Sequence, residues 1–443
     1  MFSRPLRFLL VAAALVSALA ACSKGGTSVG PPSGFDVRDG DGRATVTWNA
    51  DPGVEYWLFF GPTSYISPSN WTSIAGSGVV MGANPPYVVS GLVNGAVYSF
   101  TVNARKNGGP GGAPTASKQA HPRPAGSEWN VEPACGTAAL RGVTVGAVDV
   151  AVGDGGTICK SSNGQTWTAV ANSQSVDLKG VQYALSAYIA VGASGTVLYS
   201  TDATTWTLET SGTTNQLNAI ASNHLNLHVA VGDNGAIIHS GDGKTWAAAT
   251  TIPAGTGNLY GVAYTGYSGG TWIAVGAGAK VLTSTDGNTW TDNPSATAAY
   301  TPGAEPDLKG VVYGYSDTAA QTLAFVAVAS DGSVLATKDL SSWTATTIDP
   351  GVSLNAIAWG TRFVIVGDAA SFAGNVVPTI LVNDNTATWP MTWTQKPTQV
   401  TDWLNPDWTP YALPVPATNL YAIVHAAHDY LAVGTAGGAF YSQ

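Results

Sequence analysis

The sequence predicts an all-β fold on three observations. A short strand-turn-strand phrase recurs seven times between Val143 and Phe440, the apolar runs inside each copy are too short for stable helices, and no long amphipathic helical pattern appears in the 443 residues. The clearest copies read AVGDGGTICKSSNGQTW from Ala151 to Trp167, AVGASGTVLYSTDATTW from Ala190 to Trp206, AVGDNGAIIHSGDGKTW from Ala230 to Trp246, AVGAGAKVLTSTDGNTW from Ala274 to Trp290 and AVASDGSVLATKDLSSW from Ala327 to Trp343. Degenerate copies begin at Val364 and Ala432. The period is about 40 residues, stretched to about 50 or more by insertions, which is the spacing of four-stranded propeller blades.

Each unit supplies four candidate strands. In the second they are LKGVQY from Leu178, YIAVG from Tyr188, TVLYS from Thr196 and TWTLE from Thr205, separated by Gly, Ser, Ala or Asp turns. The seventh unit reaches only its third strand before Gln443, while an orphan strand, Glu128 to Glu132, precedes the first unit. Pairing of that strand with the C-terminal one would close the ring and leave no open edge. The expected architecture of residues 127-443 is therefore a seven-bladed β-propeller closed by an N-terminal strand, and the segment before it, residues 31-122, is expected to be a β-sandwich.

Residues 31-122 carry a different pattern: ATVTWNA from Ala44, EYWLFFGP from Glu55, and LVNGAVYSFTV from Leu92. This segment resembles a fibronectin type III domain. The resemblance makes Trp48 the core tryptophan of the second strand, and Leu92, Gly95 and Tyr98 a tyrosine corner, in which the ring packs inward and its hydroxyl meets backbone polar groups. It implies a spacer or adhesion module, joined to the propeller by a linker over residues 123-126.

At the N-terminus Arg4 and Arg7 precede an apolar run from Phe8 to Val16, too short for a stable transmembrane helix. The run ends in Leu19-Ala20-Ala21-Cys22, which resembles the bacterial lipobox read by lipoprotein signal peptidase; the alternative is an ordinary signal peptide with a cysteine nearby. The resemblance implies removal of residues 1-21, lipidation of Cys22, and a flexible tether over 22-30. Ser23, rather than Asp, stands after the cysteine, which implies an outer-membrane lipoprotein on the periplasmic side or the cell surface. In such an oxidising compartment Cys135 and Cys159 are candidates for one disulfide. Cys159 also aligns with Leu198, Ile238, Leu282 and Leu335, so a buried apolar thiol is the other reading.

Loss of the two leader arginines takes the formal charge from −9 to about −11. An acidic chain with no basic run is a poor nucleic-acid ligand. The expected partners are an envelope or extracellular protein or polysaccharide, with the membrane reached through the lipid anchor only and the protein a monomer.

Ser284-Thr285-Asp286-Gly287-Asn288-Thr289-Trp290 resembles the Asp-box, or BNR, repeat of sialidases and other bacterial propellers. By that resemblance Asp202, Asp242, Asp286 and Asp339 bond turn N-H groups, while Trp167, Trp206, Trp246, Trp290 and Trp343 fill the gap to the adjoining sheet. The motif is structural. A sialidase needs three arginines for its substrate carboxylate, and from residue 127 onward there are only Arg141 and Arg362. The propeller as a whole is similar to photosystem II assembly-factor propellers, which implies a binding scaffold, although no arginine patch matches that family's surface.

No HExxH, P-loop or nucleophile elbow is present, and no cofactor or metal is expected. His224 with His228, and His425 with His428 and Asp429, have ligand-like spacings but fall in hairpins between first and second strands. The longest insertions, 292-307, 368-378 and 394-418, belong to connections on one face of the ring. The last holds Trp403, Trp408 and Tyr411 beside Asp402 and Asp407, rings and carboxylates suited to stacking on sugars or anchoring a protein; packing of a long loop is the plainer reading. The expected function is non-catalytic binding. The competing class is a carbohydrate-active hydrolase or lyase with a propeller fold, using Asp402 and Asp407.

Overall fold

The computed structural model describes residues 26-123, 129-265, 269-317, 322-360, 362-372, 375-383, 393-395, 418-426 and 429-442. The chain forms two compact units, Met1–Pro124 and Ala125–Ser442.

In the first unit a five-stranded sheet (Thr27–Val29, Val54–Gly61, Gly78–Met81, Tyr98–Lys106, Lys118–Ala120) and a three-stranded sheet (Asp36–Gly40, Arg43–Thr47, Tyr87–Ser90) share one core. Alternation drives the packing. Tyr56, Leu58, Phe100 and Val102 point one way from their strands and meet Ala44, Val46 and Val89 of the other sheet. Trp48 is buried 5.6 Å from the Tyr56 ring, and the Tyr98 hydroxyl accepts the Val93 N-H at 3.2 Å. The segment expected as a tether is partly ordered: Thr27–Val29 pairs antiparallel with residues 104-106, satisfying backbone groups that a free linker leaves to water.

The second unit holds, among the described residues, seven antiparallel four-stranded sheets. The first strands are Leu140–Thr144, Leu178–Ala184, Leu217–Ser222, Leu259–Tyr264, Leu308–Asp317, Leu354–Trp359 and Leu420–Ala426. Each touches the first strand of the next sheet, and the last touches the first, so the sheets form a ring with these strands innermost. The outer strand of the last sheet comes from Trp129–Glu132, which pairs with Ala439–Ser442. Trp129 is fully buried there against Tyr430.

Small residues make the inner ring possible. A Cβ on Gly142 would lie 3.0 Å from the Gly180 Cα, one on Gly180 3.3 Å from the Ala219 Cα, and one on Gly261 3.1 Å from the Gly310 Cα. Neighbouring first strands thus approach backbone to backbone, and the β-branched second strands fill the wedge between sheets farther out.

The aspartate-bearing turns lie between third and fourth strands. Asp202 Oδ1 accepts the N-H groups of Thr204 and Thr205 at 2.8 and 2.7 Å, and Asp242, Asp286 and Asp339 repeat the arrangement. The N-H of Thr205, then that of Thr204, holds the Asp202 carboxyl down to about 2. In the first sheet Asn163 does the same work without charge. Trp246 and Trp290 donate Nε1-H to Gly243 O and Gly287 O and pack against the preceding sheet, as Trp167 and Trp343 do. Trp206 packs likewise, but its turn has Ala203 in place of glycine and its Nε1 finds no acceptor among the described residues.

Asp149, which begins the second strand of the first sheet, is pushed up from 3.8 to about 6 by burial, with the Gly164 N-H pulling the other way. The folded protein therefore keeps this proton at pH values where the unfolded chain loses it. Stability falls as pH rises through the window from 3.8 to about 6, and is level above it. Asp149→Asn is expected to be more stable than wild type at pH 7.5, by about 1–2 kcal/mol after discounting for residual solvation, and equal to it at pH 3.5. Thermal midpoints at the two pH values check this; an equal gain at both removes ionisation as the cause.

Candidate functional site

Every first strand opens with a fully buried leucine, from Leu140 to Leu420. The pairing register then slips between that leucine and the residue two places on, in all seven sheets. A bulge leaves one extra residue and re-aims its side chain. The extra residues are Arg141, Lys179, Asn218, Tyr260, Lys309, Asn355 and Tyr421. They stand together at one mouth of the ring, beside the turns that join second to third strands, and bridge sheet to sheet.

Arg141 donates Nε-H and Nη2-H to Asp154 at 2.9 and 2.8 Å, and its guanidinium carbon lies 4.1 Å from the centre of the Tyr421 ring of the last sheet. This fork bond to Asp154 raises Arg141 and holds the Asp154 carboxyl below the usual carboxylate range. Lys179 Nζ is 3.5 Å from Asp154 and 2.9 Å from Asp177. The Asp177 carboxyl is lowered first by the Gly155 N-H and then by Lys179. Lys309 Nζ lies 3.0 Å from Asp307 and 4.2 Å from the centre of the Tyr260 ring. Asn218 Nδ2 bridges Asp233 at 2.8 Å and Leu259 O at 2.9 Å. Asn355 Nδ2 bridges Asp368 and Leu420 O at the same two distances.

The mouth is written twice. Asp177, Lys179, Asn218, Asp233, Asn258 and Tyr260 in sheets two to four match Asp307, Lys309, Asn355, Asp368, Asn419 and Tyr421 in sheets five to seven, residue for residue. Their bonds match as well. Asn258 accepts the Asn234 N-H, and Asn419 the Ala369 N-H, at 2.9 Å in both cases. Asp177 accepts from Gly155 as Asp307 does from Gly278. The phrases that carry this, DLKGV twice, LNAIA twice and NLY twice, stand in the sequence at the start of the first strands, one strand ahead of the Ala-Val-Gly phrase read for its glycines and tryptophans. Alignment of neighbouring repeats hides them, because the bulged residue changes from each sheet to the next.

Trp403, Trp408, Tyr411, Asp402, Asp407 and Cys22 lie outside the described residues. The insertion over 292-307 contains a short helix, Pro294–Thr297, and that over 368-378 continues the strands Phe363–Phe372 and Asn375–Asn383 as an extended hairpin. Both connections leave the mouth face, since they follow a fourth and a second strand. Cys135 and Cys159 are joined as a disulfide. His228 is buried at the start of a strand with Nδ1 2.6 Å from Gln182 Nε2, and burial brings it down to about 4. His224 sits in the preceding hairpin, His425 in the first strand of the last sheet 5.1 Å from the Tyr430 ring, and His428 outside the described residues. Among the described residues no three potential ligands gather into a metal cluster, and no helix is long and apolar enough to cross a membrane.

The ring of four-stranded sheets defines the class: this unit is a β-propeller. It is similar to YCF48 bound to D1 peptide, at 16% identity and TM-score 0.52 over 71% of this chain and 94% of that one. It is also similar to YCF48 from Cyanidioschyzon merolae, at 16% and 0.51 over 71% and 98%. A catalytically inactive virginiamycin B lyase from Staphylococcus aureus with quinupristin matches at 11% and 0.55 over 71% and 99%. At these identities the likeness establishes the fold alone. No protein-family model matches the chain, and no curated protein matches it in sequence.

Proposed function

We propose that this protein is a non-catalytic binding scaffold of the cell envelope: a seven-bladed propeller on a fibronectin-like stalk, anchored to the outer membrane through Cys22, which recognises a polypeptide partner with the mouth face. The observation that carries the reading is the coincidence on one face of the duplicated polar ring and of the insertions over 292-307 and 368-378; the sequence puts the third long insertion, 394-418, in a connection of the same kind as the first. Folding of a propeller asks for the buried leucine and the small residue that flank each bulge; it does not ask for lysine, asparagine and tyrosine in turn between them. The peptide-bound state of YCF48 supports a polypeptide rather than a sugar as the partner.

The test is affinity capture from an envelope extract by the mature protein. A partner held by wild type is expected to be lost by the Tyr260→Ala/Tyr421→Ala variant, to be weakened by Trp403→Ala/Trp408→Ala, and to be kept by Leu185→Ser/Leu225→Ser. The last pair changes exposed leucines in hairpins on the opposite face. Capture unaltered by the tyrosine and tryptophan variants alike overturns the mouth face as the site. Polysaccharide turnover abolished by Asp402→Asn or Asp407→Asn replaces the scaffold with an enzyme.

A further inference from the structure

We infer that the mouth takes a partner segment bearing two basic side chains, one at each copy of the duplicated station, with Asp233 and Asp368 as the receiving carboxylates. The inference rests on the binding reading above and names the chemistry of its ligand.

The bulged residues and the aspartates they or their neighbours touch comprise, among the described residues, three cations and five carboxylates. Asp154 is neutralised by Arg141 and Lys179, Asp177 by Lys179, and Asp307 by Lys309. Asp233 and Asp368 differ. Each accepts only the side-chain amide of its own asparagine, at 2.8 Å through Oδ1, and no cation among the described residues reaches either. A neutral amide orients a carboxylate without cancelling its charge, so each station of Asp, Lys, Asn, Asp, Asn and Tyr keeps one negative charge in excess.

The stations also specify geometry. Asn218 and Asn355 are themselves fixed, because each also donates to the leading carbonyl of the next sheet and has its Oδ1 occupied, by Gln216 Nε2 in one case and the Ser353 hydroxyl in the other. The carboxylates are thus held in place before a ligand arrives, which lowers the ordering cost of binding. The ring already shows what it pairs with: at the seams beside these stations its tyrosines carry a lysine and an arginine over their faces. Conservation of six identical residues and their bonds in two places, amid repeats that differ at most other surface positions, assigns the same occupant to both. A guanidinium or ammonium fits a single oriented carboxylate beside amide and phenol oxygens, and two such groups on one chain bind with the gain of linked attachment. The chain's net charge of −9 steers such a segment in.

The experiment uses the mature full chain and short fluorescein-labelled peptides with two arginines separated by Gly-Ser spacers of graded length, read by fluorescence anisotropy at low and physiological salt. A glutamate version and a one-arginine version serve as comparisons. At one spacer length the two-arginine peptide is expected to bind, the one-arginine peptide more weakly and the glutamate peptide not at all. Asp233→Asn/Asp368→Asn is expected to weaken the two-arginine peptide about tenfold, each single change giving part of the loss. Asparagine keeps the acceptor for Asn218 and Asn355, and unchanged thermal midpoints verify the fold. Asp41→Asn/Asp51→Asn removes the same charge from the first compact unit, outside the propeller, and is expected to leave binding within about twofold. Equal loss from the Asp41/Asp51 pair, no loss from the Asp233/Asp368 pair, or equal binding of the glutamate peptide overturns the inference. If partner capture still depends on Tyr260 and Tyr421 in that event, the scaffold reading stands and only the basic ligand falls.

Discussion

Gly232→Val is expected to cost roughly 4 kcal/mol and to disorder the mouth at the third sheet. Gly232 ends the strand His228–Gly232, and a Cβ there would lie 1.9 Å from the carbonyl oxygen of Gln216 and 3.0 Å from the Leu217 Cα. That oxygen cannot simply step aside, because it accepts the Asp233 N-H at 2.9 Å. The contact recurs: a Cβ would lie 2.1 Å from the equivalent oxygen at Gly153, Gly192, Gly276 and Gly434. The glycine of the recurring Ala-Val-Gly is thus a vacancy filled by the carbonyl that leads the first strand. Valine drives that strand away, lifting buried Leu217 and carrying Asn218 off Asp233 and Leu259. The fifth sheet sets the scale, since Ala329 takes this position, fully buried, and Ser330 N-H still bonds Asp307 O at 2.9 Å. Its turn differs, lacking the single 3-10 turn found after Gly232 and placing Gly332 at φ +83°. One methyl is therefore tolerable with local rearrangement, and Gly232→Ala is expected to cost less than Gly232→Val. Denaturant midpoints of the two variants check the order; a wild-type midpoint for valine would sink the argument.

The same glycine shows what a single chain discloses. Strand positions, the four-strand unit and the aspartate turns were legible because each repeats a local need: β-branched residues where sheets stack, glycine where a carbonyl intrudes, aspartate where turn N-H groups converge. The ring of bulged residues was not legible by that route. A bulge is set by how one strand registers on the next, and its residue is free to vary, so it vanishes from a pattern built on sameness. It appears only when sheets two to four are laid on sheets five to seven. The ordered strand Thr27–Val29 escaped for a related reason: its three residues carry no apolar alternation and are held by backbone pairing to residues 104-106. For the aromatic insertion over 394-418 the sequence supplies composition without repetition, which names ring types and carboxylates but no arrangement.

Removal of the disulfide, in Cys135→Ser/Cys159→Ser, is expected to cost about 3 kcal/mol and to open the ring at one place rather than everywhere. The bridge closes a loop of sequence separation 24, for which chain entropy alone gives a value of that size. Its position matters more than its length. Cys135 lies between the strand Trp129–Glu132, which completes the last sheet, and the strand Leu140–Thr144, which begins the first; Cys159 is in the third strand of the first sheet. Cys135 N-H also donates to Gly437 O at 3.3 Å in the last sheet. The disulfide therefore ties the closing strand's connection to the sheet on the other side of the seam. Without it, the pairing of Trp129–Glu132 with Ala439–Ser442 is held by its own ladder and by buried Trp129. Hydrogen exchange followed by mass spectrometry is expected to show these two strands losing protection in the serine variant, or in wild type with reductant, while His228–Gly232 and Trp272–Gly276 on the far arc keep theirs. Uniform deprotection across all sheets would mean that the ring opens only as a whole, and an unchanged pattern would mean that the closing strand needs no covalent help.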